Sequence, residues 1–198
     1  MSAELKQILT VVVPELRKLG YNGSGQNFRL TTSDACSVVN FQKDSGGERF
    51  FVNVGVHPTC LLTGGTSAVT TSLKEHDCMF RTRLPPPDEY KFGWPYRIEI
   101  ADGLSARFRA LFIDWIKPLM TIPGPVTFAR AADLQGISSH PLFGTMNPAK
   151  FEKFANICIA RDSPVAAAEF IHEALSIAPP SAKGLIRHLK RLLSELEG

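Results

Sequence analysis

Two apolar periodicities divide this sequence, and together they constrain its fold more than any other feature. Between residues 26 and 101 apolar side chains recur at every second position, as in FFVNVGVH at residues 50–57. That repeat is typical of antiparallel strands with one buried and one polar face. From Leu104 onward the apolar repeat lengthens to three or four residues, which is typical of helices. The sequence therefore predicts an α+β fold.

The elements can be placed along the chain from these repeats. An N-terminal helix is predicted at 2–19, where Gly20 provides a left-handed stop. Strands are predicted at 26–31, 37–43, 50–57, 76–84 and 96–101, and we expect them to form an antiparallel five-stranded meander. A helix that begins at Leu104 would pack on this sheet. We place an α+β core domain at 1–122 and an all-helical C-terminal region, packed on the core, at 123–198.

The most unusual strand reads HDCMFRTRL, at residues 76–84. Period two places Arg81 and Arg83 side by side on one of its faces. In a meander, polar residues of the neighbouring strands would share that face. These are Arg29, Asn40, Gln42, Asn53, His57 and Arg97, with Asp77 and Glu99. Asparagine is disfavoured inside strands, so amides next to several arginines are an unusual set.

Such a face has a definite chemistry. Guanidinium groups present a planar fork to carboxylates and phosphates, and amides add paired donors and acceptors. We therefore predict a site for an acidic partner protein or a small anion. Its residues are Arg81, Arg83, Asn40, Gln42, Asn53, Arg29 and His57. In the structural alternative, Arg81 and Arg83 pair across strands with Glu99, Asp77 or Glu48, and each pair contributes about 0–1 kcal/mol.

A metal site is the second chemical hypothesis. His57, Cys60, His76 and Cys78 follow the pattern H-x2-C, a long loop, then H-x-C, and four nitrogen and sulfur ligands suit tetrahedral zinc. Cys78 also fits the core face, as a small buried apolar side chain. A zinc-binding protein, or a hydrolase with His57 as base or zinc ligand, is thus the alternative to a non-enzymatic binding module without a cofactor.

Composition narrows the classes of partner. The net charge is +3 with 21% charged residues, which favours an ordered chain without the concentrated basic patch of a nucleic-acid binder. The apolar run Ile8–Val13 is far shorter than the roughly 20 residues that span a bilayer, and the first residues lack a signal-peptide pattern. We expect a cytoplasmic protein whose partner is neither a membrane nor a nucleic acid.

Three short stretches carry a family resemblance. They are NFQK at 40–43, FVNVGV at 51–56 and RTRL at 81–84. With the order of elements, they make residues 5–120 resemble a bacterial family catalogued as domain of unknown function 4304. The resemblance implies a cytoplasmic bacterial protein with a helix–sheet–helix core and supplies no catalytic residue. The segment that begins with FEKF at 151–154 resembles one unit of a tetratricopeptide-type array.

Overall fold

A computed structural model describes residues 2–62, 71–121 and 130–197 of the chain. It confirms the predicted α+β class, with an N-terminal helix, an antiparallel sheet and then further helices. Helix α1 (Ala3–Lys18) begins at Ser2, whose hydroxyl accepts a hydrogen bond from the Leu5 N–H at 3.2 Å. Pro14 lies within this single helix. The helix ends before Gly20, whose φ of +91° strongly favours glycine.

The described residues form a sheet of six strands. These are β1 (Asn22–Ser24), β2 (Asn27–Thr31), β3 (Ala35–Lys43), β4 (Arg49–Pro58), β5 (Phe80–Arg83) and β6 (Trp94–Pro95). The first five pair in chain order as an antiparallel meander, and β6 pairs with the start of β4. Strand β1 was not predicted because its short sequence, NGS, offers no apolar alternation.

The two faces of the sheet differ as the alternation predicts. One face is buried; for example, the register aligns Phe28, Val39 and Val54 there. The Tyr21 hydroxyl lies 2.7 Å from the hydroxyl of the buried Ser37, which gives that polar atom a partner on this face. The opposite face carries the polar residues, and a later segment of the chain covers part of it.

The strand predicted at 96–101 is wrong. Residues Ile98–Ile100 form a 3₁₀ turn, in which the Ile100 N–H bonds to the Arg97 carbonyl at 3.3 Å. One side of β4 pairs with β3, and the other side pairs with β5 and β6. No side of β4 is left for a further strand. Arg97 and Glu99 are consequently exposed outside the sheet. The alternation over so short a stretch carries little weight, and Ile98, one of its apolar positions, is exposed.

The remaining helices follow the sheet. Helix α2 (Ala101–Leu111) runs through a π-helical turn into α3 (Lys117–Met120), and α4 spans Ala131–Leu134. A ribbon of β7 (Ser139–His140) and β8 (Gly144–Thr145) precedes α5 (Pro148–Ala160), α6 (Pro164–Ile177) and α7 (Lys183–Glu197). Among the described residues, no helix has both the length and the apolar composition that a bilayer crossing requires.

Aromatic rings join the C-terminal helices to the sheet. The Phe154 ring centroid of α5 lies 6.2 Å from that of Phe80 on β5 and 5.4 Å from that of Phe170 on α6. One cluster of buried residues thus extends from α1 through the sheet to α7. The boundary predicted at residue 122 falls where 122–129 lie outside the described residues, and the likeness of the tail to a tetratricopeptide unit stays a prediction.

Candidate functional site

One row of the sheet carries polar side chains from four consecutive strands. The register aligns Asn27, Asn40, Asn53 and Arg83. The Asn40 amide donates to Asn27 Oδ1 at 2.8 Å, and the Asn53 amide donates to Gln42 Oε1 at 2.7 Å. Arg83 Nε in turn donates to Asn53 Oδ1 at 2.9 Å. Each amide predicted as a ligand therefore already has an amide partner within the sheet, and Asn53 also holds Arg83.

The two adjacent arginines differ in how they are held. The Arg83 guanidinium lies 4.1 Å from the centroid of the Phe51 ring, in addition to its bond to Asn53. Arg81 is exposed and makes no hydrogen bond or ion pair with any residue in the described ranges. Neither arginine forms the cross-strand ion pair of the structural alternative within those ranges. Arg81 thus remains available to an outside anion.

The adjoining row of the same face is covered by residues 73–78. Leu73 and Cys78 pack on Cys36 and Val38 in a small apolar cluster. Arg29 fixes this cover, because its Nη2 and Nε donate to the Leu73 carbonyl at 2.8 and 3.2 Å. Arg29 thus has a structural partner within the chain.

Gly55 permits this close cover. A Cβ at that position would lie 2.6 Å from the Cβ and Sγ atoms of Cys78 and 2.8 Å from the Glu75 carbonyl oxygen. Those distances are well below van der Waals contact, so the cover can seat here only over glycine.

A cleft of about 540 Å³ opens beside this cover. Arg81 and Arg83 of β5 line it together with Lys150 and Lys153 of α5, and Asn53 lies at its wall. The first turn of α5 also borders the cleft. The Asn147 side chain accepts a hydrogen bond from the Lys150 N–H at 2.9 Å, and helix starts carry partial positive charge. The Glu75–Asp77 turn forms the opposite rim, so four cations face two carboxylates.

Lys150 is the most strongly perturbed cation of the cleft. Its half-buried Nζ donates to the Met79 carbonyl at 2.6 Å and lies 5.1 Å from the Phe80 ring centroid. Burial first, and then the neighbouring charges of Lys153 and Arg81, lower the pKa of Lys150 to about 8. The side chain is therefore mostly protonated at pH 7. Its half-buried site disfavours an uncompensated charge, and a bound anion would stabilise the protonated amine.

Sequence reasoning missed Lys150 and Lys153, which lie about 70 residues after β5. A partial signal was present, because Asn147-Pro148 is a typical helix start, and a helix from there puts both lysines three residues apart on one face. Of the residues predicted as ligands, Arg81, Arg83 and Asn53 line this cleft. Arg29, Asn40 and Gln42 line a separate pocket of about 380 Å³ on the far side of the Glu75–His76 rim.

His57 lies under the surface rather than on it. Its Nδ1 accepts a hydrogen bond from the Met79 N–H at 3.2 Å, and Nε2 is buried without a partner among the described residues. Burial and the nearby Lys153 lower its pKa, so the ring is held neutral. His57 is not among the residues that line the cleft.

The predicted zinc set of His57, Cys60, His76 and Cys78 is not assembled. In the described residues, no three His, Cys, Asp or Glu side chains are grouped to hold a metal ion. Cys60 is exposed in the turn after β4, whereas the buried Cys78 thiol donates to the Lys74 carbonyl at 3.5 Å. His76 lies on the exposed turn, 3.7 Å from each of two carboxylates. The H-x2-C and H-x-C spacing is close in sequence without converging in space.

Comparison with known proteins gives one finding about family. Residues 12–103 match the model of a family described as "Domain of unknown function (DUF4304)". The range confirms the resemblance carried by NFQK, FVNVGV and RTRL, and it includes Arg81 and Arg83 but not the two lysines of α5. The comparison with curated proteins and the comparison with solved structures found no match.

Proposed function

We propose that this protein, whose residues 12–103 match the DUF4304 family model, is a non-enzymatic binding module for an anionic ligand, either an acidic partner segment or a small anion. The ligand would occupy the cleft between β5 and α5. The observation that carries the proposal is the exposed Arg81 in a concave site that also holds Arg83, Lys150 and Lys153. None of the ion pairs among the described residues neutralises these cations.

The four cations would serve an anion in two ways. Arg83 and Lys150 are already held by protein hydrogen bonds, so a ligand would lose little affinity to ordering them. Arg81 and Lys153 are exposed, and their side chains make no hydrogen bond or ion pair among the described residues. Both could therefore reorient to contact the ligand. An arginine fork can accept a carboxylate or a phosphate through two parallel hydrogen bonds. The arrangement suits a ligand with more than one negative group.

The hydrolase alternative has less support. Its base, His57, is buried with Nδ1 bonded to the Met79 N–H, and its metal set is not assembled in the described part of the chain. An anion site on cationic side chains needs neither a nucleophile nor a base.

Removing Arg81 and Lys153, the two cleft cations without a partner among the described residues, is expected to weaken anion binding. We expect an Arg81→Gln/Lys153→Gln variant to bind a capped tetraglutamate peptide, or inorganic tripolyphosphate, at least about tenfold more weakly, because charge-assisted hydrogen bonds are lost. The matched control is Arg107→Gln/Lys117→Gln, which removes the same charge from exposed positions on the α2–α3 segment. Calorimetric titration of the full chain at low salt measures both.

The control variant should bind within about twofold of wild type, since charges outside the cleft act only through a screened field. Equal losses in the two variants would show non-specific attraction. Failure of the wild type to bind either probe would contradict the proposal outright. Preference for the peptide or for tripolyphosphate would identify the ligand as carboxylate or phosphate.

The pH dependence of binding should follow Lys150. An anion stabilises the protonated amine, so affinity should be flat well below pH 8 and fall as pH rises past the pKa of about 8. A Lys150→Arg variant should keep its affinity up to pH 9.5, because arginine stays charged throughout. Calorimetric titrations with the capped tetraglutamate peptide between pH 6.5 and 9.5 measure this affinity, and thermal melts verify that the protein stays folded. A wild-type affinity that does not change with pH would rule out a role for Lys150.

A further inference from the structure

Strand β5 ends the meander of the described residues, and its hydrogen-bonding pattern can be read from the register. The Leu84 N–H donates to the Val52 carbonyl at 2.9 Å, and the next pairs are Asn53↔Arg83 and Val54↔Thr82. Hydrogen-bonded and non-hydrogen-bonded pairs alternate in an antiparallel ladder. Thr82 therefore bonds to β4, whereas the N–H and C=O groups of Arg83 point away from it. The same holds for Arg81, opposite Gly55.

These outward groups border the cleft and have no partner in the part of the chain that the structure describes. Among the described residues, no hydrogen bond outside the β4–β5 ladder involves the backbone of Arg81 or Arg83. The carbonyls on either side are satisfied, since Lys150 Nζ bonds to Met79 O at 2.6 Å and Trp94 Nε1 bonds to Leu84 O at 3.2 Å. The β7–β8 ribbon forms no ladder with β5, although β8 lies beside it with Cα atoms of the two strands within 8 Å of each other. Two residues thus offer a row of donors and acceptors with the cationic side chains attached.

We propose that the ligand is an extended acidic peptide, which binds by adding a strand to the free edge of β5. The inference rests on the proposed function and names the partner class for the same cleft. Backbone bonds to Arg81 and Arg83 would supply affinity, as in other cases of strand addition. Specificity would come from the side chains of the peptide that share a face with the two arginines.

If the peptide strand runs antiparallel to β5, its register follows from the geometry of the ladder. Residues in a hydrogen-bonded pair lie about 5.5 Å apart between Cα atoms, with side chains on the same face. The peptide residues opposite Arg81 and Arg83 would therefore be two positions apart. Acidic side chains are required at these positions, i and i+2, and the residue between them points to the other face.

Charge also selects this occupant over a second copy of the chain. Pairing of β5 with another β5 would place arginines across from arginines, and like charges directly opposite one another are destabilising. Arginines on a short edge strand can also serve only to prevent unwanted pairing. That role predicts no binding of an acidic strand, so the experiment separates it from the proposal.

Two capped pentapeptides of identical composition provide the test. One reads threonine–glutamate–valine–glutamate–threonine, and its isomer places the two glutamates next to each other. Titrated into the full chain, the alternating peptide should bind at least about fivefold more tightly, because adjacent glutamates face opposite sides of a strand. N-methylation of the two glutamate amides should weaken binding about tenfold or more by removing the bonds to β5. N-methylation of the valine amide, which points outward, should change affinity less than twofold.

Amide hydrogen exchange supplies a site-specific readout. The alternating peptide should slow exchange at the Arg81 and Arg83 amides and leave Thr82, already bonded to β4, unchanged. Equal binding by the two isomers, with no protection at Arg81 or Arg83, would overturn strand addition but leave anion binding in place. Failure of tetraglutamate, tripolyphosphate and both pentapeptides to bind would overturn both proposals.

Discussion

Replacing Phe154 with alanine is expected to destabilise the protein by about 3–5 kcal/mol. The side chain is fully buried, and its ring centroid lies 5.1 Å from that of Phe143 and 6.2 Å from that of Phe80. It also packs on Phe151 and Phe170, so its loss opens a cavity where β5, the β7–β8 ribbon, α5 and α6 meet. The aromatic cluster also positions α5, and hence Lys150, beside β5.

Denaturant unfolding, followed by fluorescence and circular dichroism, measures this effect. Phe92→Ala is the matched control, because Phe92 is 75% exposed. Among the described residues, its ring has one aromatic or cation–π partner, the Arg49 guanidinium. The control should cost less than about 1 kcal/mol. We expect one cooperative transition in each case, since the larger of the two buried clusters in the described residues joins α1, the sheet and the C-terminal helices. A Phe154→Ala variant no less stable than the control would contradict the packing described.

Replacing Gly55 with alanine should cost about 1–3 kcal/mol or more, because the new methyl group overpacks a tight contact. The obstructing atoms, Cys78 Cβ and the Glu75 carbonyl oxygen, lie close to the main chain and cannot rotate away. Residues 73–78 must then lift from β4. The matched control is Gly103→Ala in α2, where a Cβ meets nothing within 4 Å. That change should stabilise by about 0.5–1 kcal/mol, because alanine favours helix.

The reactivity of the buried thiols reports the same displacement. In a Cys60→Ser/Cys158→Ala background, which leaves Cys36 and Cys78, these two thiols should react slowly with a thiol reagent when residue 55 is glycine and faster after Gly55→Ala. Burial raises the pKa of Cys78 to about 12, which keeps its thiol protonated and slow to react while the cover is closed. Unchanged stability together with unchanged thiol protection would refute the tight cover over Gly55.

The sequence allowed the central strands to be predicted because one face of each is buried, which fixes alternation along β2, β3 and β4. The same alternation misled at 96–101, where too few residues distinguish a strand from a turn and β4 had no free side. In HDCMFRTRL only Phe80–Arg83 is a strand, because Glu75–Asp77 turns to cover Gly55.

The candidate site was only partly accessible from sequence. Alternation treats Arg29 and Arg83 alike, and only tertiary structure shows that Arg29 holds the Leu73 carbonyl while Arg83 lines the cleft. Lys150 and Lys153 look like the solvated face of a helix until α5 is docked against β5. Their contribution depends on contacts between residues far apart in the chain, which periodicity cannot reveal.

Binding of an anion between β5 and α5 can be detected residue by residue in a titration. The full chain, labelled with ¹⁵N, would be titrated with capped tetraglutamate and followed by heteronuclear NMR. We expect saturable shifts at the amides of residues 81–83, 147 and 149–153, with little change along α7. Shifts confined to α7, whose Lys183, Arg187, Lys190 and Arg191 form a rival basic surface, would contradict binding in the cleft. So would the absence of any saturable shift.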